Sequence, residues 1–502
     1  MKFLQKAIPI IFIIFFTIIL SLLFIFSGIE YHLKRNLIIN NILILIFIII
    51  PIFLIYYFLV RKSGDISNKK YKTILIVIAL IIFIIQIILV KCIYFYTDWD
   101  VKVIRDIVNE FFKNGNLKNN YYLTIYPNNL FLTMIIVAIK SIPIVGNNYL
   151  FLLGINCLLV DLAGVFTSLT IKNISNNKKA LLSFAIMIPL ILLSPWIVIP
   201  YTDTFAILFP ILVLYLYTKK QKKLIDYYLI GLCTFVGYYI KPTVIIIFMS
   251  IVIVEIFSKL KILFNKEKIK RQLKIACIII FGIFTAFVSN KSASYILKFE
   301  PLSYAKPFSF IHYLAMGQNN KTLGAYSQTD INYSIEKGKT ADLKKFYKRI
   351  TNRTFSEQIA FFSKKTLLNF NDGSFSWGLD GIFFYEINKT NSSFAKFLRE
   401  IYYDGGKYFL NFLQVCQILW LLVLSFCPFI AKKKNNKNEL VIMLAIIGIT
   451  LFLTIFEPRT RYLYCYSPIF IVCFVLGFSN LKNTIKNKFD NKETQGLRLK
   501  SK

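Results

Sequence analysis

Apolar runs of about twenty residues recur along the chain, broken by short stretches rich in lysine. Ala7 to Ser27, Leu37 to Val60 and Thr73 to Tyr96 hold almost no charge, and each is long enough for a helix to cross the hydrocarbon of a bilayer. Backbone groups in hydrocarbon must bond within their own segment, so these runs predict helices. Two long polar stretches interrupt the pattern, Asp98 to Tyr126 and Asn290 to Lys407. In the first, Val101, Ile104, Ile107, Val108, Phe111 and Phe112 share one helical face against Lys102, Arg105, Asp106 and Glu110, the pattern of a helix lying in the membrane interface. The second is rich in Gly, Asn and aromatic residues and long enough to fold as a small cap.

Composition agrees with lipid as solvent. Of 502 residues, 56% are hydrophobic, and the mean hydropathy is +0.60. The net charge of +35 invites a nucleic-acid reading, but its distribution opposes one. Lysines cluster between the apolar runs, at Arg61 to Lys72, Lys219 to Lys223, Lys259 to Lys274, Lys432 to Lys437 and beyond Lys482, where the positive-inside rule keeps them cytoplasmic. Lys2 and Lys6 before the first run resemble a signal peptide, yet the run is too long and lacks a small-residue cleavage site, so an uncleaved anchor is expected. Placing every lysine run inside puts Asp98, Pro200 to Thr204, Lys241, the 290–407 stretch and Glu457 to Arg461 outside.

Between Asp98 and Asp203 lie three apolar segments, 127–144, 149–171 and 180–200, and an even number must cross. The first, opened by Tyr126-Pro127-Asn128-Asn129 and closed at Pro143, is expected not to. The expectation is an all-α polytopic membrane protein of about twelve transmembrane helices with both termini cytoplasmic. It divides into N-terminal transmembrane helices (1–96), a first outer loop (97–126), a transmembrane core (127–290), an outer loop and cap (291–407), C-terminal transmembrane helices (408–480) and a basic cytoplasmic tail (481–502). Eight scattered cysteines form no C-x-x-C pair and read as small buried hydrophobes, with no zinc site and no disulfide framework.

Candidate chemistry gathers at the outer face. Tyr96-Thr97-Asp98-Trp99-Asp100 places two carboxylates where an apolar helix ends, as a general base, a metal site or a helix cap. Arg459 and Arg461 sit between two apolar helices, where a guanidinium grips an anion or anchors at the interface. Lys241, beside Pro242, faces a cavity or snorkels. Asp203 caps a helix or binds substrate, and His312 is structural or hydrogen-bonds a ligand. Asp161, within an apolar segment, is expected to face the interior and pair with a polar neighbour. Tyr121, Tyr122, Trp196 and Trp377 stack on sugar rings or belong to interfacial belts.

The order of an N-terminal helical region, Tyr96-Thr97-Asp98-x-Asp100, an amphipathic helix and Tyr126-Pro127-Asn128-Asn129-Leu130 resembles the GT-C integral membrane glycosyltransferases. That fold includes protein O-mannosyltransferases and lipid A aminoarabinose transferases, and the D-x-D loop is also similar to that of GPI mannosyltransferases. Pro200 to Thr204, Lys241-Pro242-Thr243, His312 to Gly317 with Gly324-Ala325-Tyr326, Asn371 to Phe375 and Glu457 to Tyr464 resemble a bacterial, Gram-positive-type branch. Two N-terminal helices before the D-x-D loop, in place of the usual one, depart from the family. The resemblance implies a GT-C-like bundle and transfer of a sugar, with inversion, from a polyprenyl-phosphate donor to a cell-wall or other surface glycan or a lipid-linked acceptor. It implies Asp98 as the base with Asp100 assisting, and Arg459, Arg461 and Lys241 on the donor phosphate. Asp203, His312, Tyr126 and Asn128 would contact substrate, and the broader fold has members with and without a divalent metal. Two alternatives stand beside it. An O-antigen-polymerase or ligase-like enzyme would rely chiefly on outer-loop arginines and a histidine, and arginine is scarce in the 290–407 loop, mainly Arg349, Arg353 and Arg399. A lipid or solute transporter would carry charge at mid-membrane and show repeat symmetry, and no repeat is visible.

Overall fold

Among the described residues the apolar runs form helices, and the lysine runs fall between them or in their end turns. A computed structural model of the chain describes residues 1–26, 66–143, 148–259, 266–380 and 384–500. Helix α1 (Lys2–Phe26) is followed by α2 (Asn68–Ile93), strand β1 (Phe95–Thr97), α3 (Asp100–Asn114) and β2 (Leu117–Lys118). Next come α4 (Leu130–Lys140), α5 (Tyr149–Ile174), α6 (Asn177–Met187), α7 (Leu208–Thr218), α8 (Leu224–Ile240), α9 (Ile245–Lys259) and α10 (Lys266–Ile296). The second outer loop carries β3 (Phe299–Glu300), α11 (Phe355–Phe370) and β4 (Phe384–Ile387), ahead of α12 (Phe409–Phe426), α13 (Lys437–Ile455) and α14 (Ser467–Lys500). Among the described residues, seven helical stretches are long and apolar enough to cross a membrane, and Pro127–Lys140, Thr202–Thr218 and Leu224–Ile240 are shorter apolar ones. The expected helix over 37–60 lies outside the described residues.

Contacts between distant segments define two ends. At the lysine-rich end the Met1 ammonium donates to the Phe257 carbonyl and Gln5 to that of Asn435. There too, Asn177 donates to the Ile66 carbonyl, Lys219 pairs with Asp226, and Lys437 with Glu255. At the other end the two polar loops are joined by strands. β1 pairs antiparallel with β4, Phe95 opposite Ile387, and β2 pairs parallel with β3. The loops expected to lie outside therefore form one cap over one end of the bundle.

The segment expected not to cross begins and ends at this cap. Asn129, just before α4, donates to the Tyr122 hydroxyl, and Lys140, at its last turn, donates to Asn109 of α3. Eleven residues make α4 about 16 Å long, half the hydrocarbon thickness. Helix α3 turns Val101, Ile104, Ile107 and Val108 inward, as its periodicity predicts, and stops at Gly115, whose φ of 70° is open to glycine.

Helices α8 and α10 approach each other closely. A Cβ at Gly282 would overlap the Tyr228 carbonyl oxygen, and one at Gly231 the Ile279 carbonyl oxygen, so backbone meets backbone at both positions. We expect Gly282→Val to force the helices apart and destabilise the protein by about 2 kcal/mol or more, read as a fall in Tm in detergent. Gly154→Ala on α5, whose new Cβ would sit 3.6 Å from Ile87 Cδ1, should leave Tm unchanged, and equal shifts in the two variants would refute the close approach.

Candidate functional site

The cap end is organised around a buried carboxylate. Pro200-Tyr201 leads into a short helix, Thr202–Ala206, whose Asp203 is 1% exposed. Asp203 Oδ1 stands 2.5 Å from Nζ of Lys241, also buried, at the turn between α8 and α9. Its Oδ2 faces Arg461 Nε at 3.8 Å. Asp203 therefore does not cap its own helix; its carboxylate spans to two other interhelical turns. Lys241 neither snorkels nor lies open to a cavity, because the ion pair and the Tyr462 ring, 4.2 Å from its Nζ, enclose it.

Arg461 links this pair to the D-x-D turn. Its guanidinium lies 4.6 Å from the Trp99 ring centre and 5.9 Å from that of Tyr201, and those two rings meet edge to face at 5.2 Å. The Tyr201 hydroxyl donates to Asp100 Oδ2 at 3.1 Å. Tyr122 lies beside the same carboxylate, and burial first, then the Asp100 charge, pushes its phenol above the ordinary range. Asp100 is the first residue of α3, where the helix dipole favours an anion, while Asp98 is exposed two residues earlier. The helix has no side-chain cap, its N-cap residue being Trp99.

Glu457 holds the remaining charges. It accepts from Arg459 Nε at 3.0 Å and from the Tyr462 hydroxyl at 3.1 Å. The turn that carries Glu457, Arg459 and Arg461 is pinned from α11. Lys365 Nζ donates to the carbonyls of Gly317 at 2.6 Å and Phe456 at 2.7 Å, Thr460 donates to the Leu368 carbonyl, and Asn369 to that of Leu453. Lys365 is fully buried; burial, reinforced by Arg353, lowers its ammonium to about 7. Sequence reasoning missed Lys365 and the grip of Glu457. The signal for the first was present, since Phe361, Lys365 and Asn369 recur every fourth residue on the buried face of α11.

The other expected residues divide. Tyr126 packs on Tyr122 and Phe308 at the edge of the site. His312 is buried and stacked on Phe308 at 4.4 Å; its Nδ1 has no hydrogen-bond partner, and burial lowers its pKa. Asn128 is exposed, and its neighbour Asn129 is the one that turns inward to Tyr122. Trp196 and Trp377 are core residues, not a sugar platform. Both are fully buried, 5.7 Å apart, with their indole N–H groups on the carbonyls of Ser374 and Tyr402. Asp161 is buried in α5, but its Oδ1 accepts no hydrogen bond, so the expected pairing does not satisfy it. Among the described residues no group of three or more His, Cys, Asp or Glu is placed to hold a metal ion.

Chemically, the arrangement offers an exposed carboxylate able to take a proton and guanidinium groups able to meet an anion. Compared with models of known families, residues 1–482 match the one described as "Conserved hypothetical integral membrane protein". No curated protein matches the chain.

Two outcomes test the cluster. Asp203→Asn strands Lys241 as a buried charge and should cost about 3 kcal/mol, and Asp203→Asn with Lys241→Met should regain much of it in thermal unfolding. A double variant no more stable than the single one would show that the pair is not what holds the turns. Because the folded pKa of Lys365 is depressed, the unfolded chain binds the proton more readily from pH about 7 up to the ordinary lysine value of about 10.4. Stability should therefore rise with pH across that window, and Lys365→Met should flatten the rise.

Proposed function

Since the chain belongs to a family of conserved hypothetical integral membrane proteins, its working surface is sought where bilayer and water meet, and we propose that it is a glycosyltransferase using a polyprenyl-phosphate sugar. The acceptor is a cell-wall or other surface glycan, or a lipid-linked one, on the extracytoplasmic side. In this reading both termini are cytoplasmic and α4 returns to the cap without crossing. One observation carries the proposal. The D-x-D turn and the Arg-x-Arg turn, more than three hundred residues apart, meet where the Arg461 guanidinium lies over Trp99, between Asp98 and Asp100.

Each residue then has a role. Asp98, exposed, is the general base that takes the proton from the acceptor hydroxyl as it attacks the anomeric carbon. Asp100, held by Tyr201, orients the turn or the substrate. Arg461 and Arg459 meet the charge that develops on the departing lipid phosphate. An arriving phosphate competes with Asp203 and Glu457, which hold both arginines in place beforehand. Lys241, engaged by Asp203, positions that carboxylate.

The polymerase-like alternative loses ground on its own requirement. Arg349 is paired with Asp330, Arg353 donates to Gln318 and Asn320, and Arg399 donates to the carbonyls of Cys92 and Thr390, so these loop arginines brace the cap.

Asp98→Asn should lower sugar transfer from a polyprenyl-phosphate donor about a hundredfold or more and change the sugar composition of the cell wall. Transfer kept in Asp98→Asn but lost in Asp100→Asn would move the base by two positions. Transfer kept in both would sink the enzymatic proposal.

A further inference from the structure

A second feature of the cap end lies outside the Asp203 cluster. Helix α3, helix α4 and the first turn of α5 enclose a cavity of about 600 Å³. Val108, Ile136 and Leu152 supply apolar wall, and Arg105, Lys113 and Lys140 supply three cations. Two carboxylates, Asp106 and Glu386, also line it. Arg105 is offset by Asp106 at 3.6 Å and lies over the Tyr96 ring. Lys113 and Lys140 have no carboxylate partner among the described residues; Lys140 donates to the amide oxygen of Asn109 and lies 5.3 Å from the Phe112 ring centre. This differs from the deep cluster, where Lys241, Arg459 and Arg461 each face a carboxylate. Three cations against two carboxylates leave the cavity lining with a net charge of +1, with Arg105 already offset by Asp106.

Its position adds a second constraint. The interfacial helix α3 forms one wall, with Phe112 exposed beside Lys113. On α5, which lines the cavity with Tyr149 and Leu152, Phe151 and Leu158 are exposed on one face of the helix, a track for an apolar tail. A site that joins paired lysines to an apolar track at the depth of the lipid headgroups fits an amphiphile with an anionic head. We propose that this cavity binds a membrane lipid bearing a phosphate headgroup, the phosphate between Lys113 and Lys140 and the tail along α5. This holds whether or not the protein is a transferase.

Native mass spectrometry of the full chain, delipidated and titrated with phosphatidylglycerol, a polyprenyl monophosphate or diacylglycerol, tests it. Both phosphate lipids should be retained and uncharged diacylglycerol should not. Lys113→Gln with Lys140→Gln should weaken retention about tenfold or more at unchanged Tm, while Lys113→Arg with Lys140→Arg keeps it. Retention of polyprenyl monophosphate alone would narrow the ligand to that carrier class, still a phosphate lipid. Equal retention of diacylglycerol, undiminished retention in the glutamine variant, or loss in the arginine variant as well would overturn the proposal. Asp98→Asn should bind these lipids normally, so failure of the transfer chemistry and failure of the lipid site are separate results.

Discussion

An aspartate taken out of water holds the cap end together. Burying Asp203 costs several kcal/mol unless cations face it, and the cations that do come from other helix pairs, Lys241 at the α8–α9 turn and Arg461 at the α13–α14 turn. The charge is satisfied only when those turns arrive together. Aromatic rings then fix the cations: Tyr462 beneath Lys241, Trp99 and Tyr201 around Arg461. The D-x-D turn is recruited through Trp99 and through the Tyr201 bond to Asp100. One buried charge thereby sets the relative placement of four segments.

Much of the bundle was legible because lipid leaves the backbone little choice. Among the described residues length and apolarity predicted the long helices, lysine runs predicted which ends lie together, and the Tyr126-Pro127-Asn128-Asn129 opening with Pro143 marked the short segment that became α4. The amphipathic α3 was legible for the same reason, its period being local. The site was harder. Residue order indicated that the Asp98 and Arg461 motifs belonged together, but nothing periodic revealed that Asp203 would choose Lys241 over its own helix, or that Trp196 and Trp377 would be core. Such contacts join residues far apart in sequence and leave no local trace. Lys365 is the intermediate case, a polar residue on an apolar stripe whose partners are two distant carbonyls.

The same end of the molecule contains two electrostatic environments. Deep in the cap every cation named in the cluster faces an acid, so charge there is spent on geometry. In the cavity beside α3, Lys113 and Lys140 have no carboxylate partner among the described residues and keep their field for something else. A chain with a formal charge of +35 thus separates balanced charge that shapes from unbalanced charge that attracts.

The pairing of Phe95 with Ile387 imposes an order of assembly. A chain synthesised from its N-terminus presents the Asp98 turn long before residue 387 or Arg461 exists, so that turn waits without its strand neighbour and without the guanidinium over Trp99. Its geometry comes into being only when the last helices have been inserted. A prematurely terminated product would carry the two acids without the guanidinium that packs over Trp99 between them.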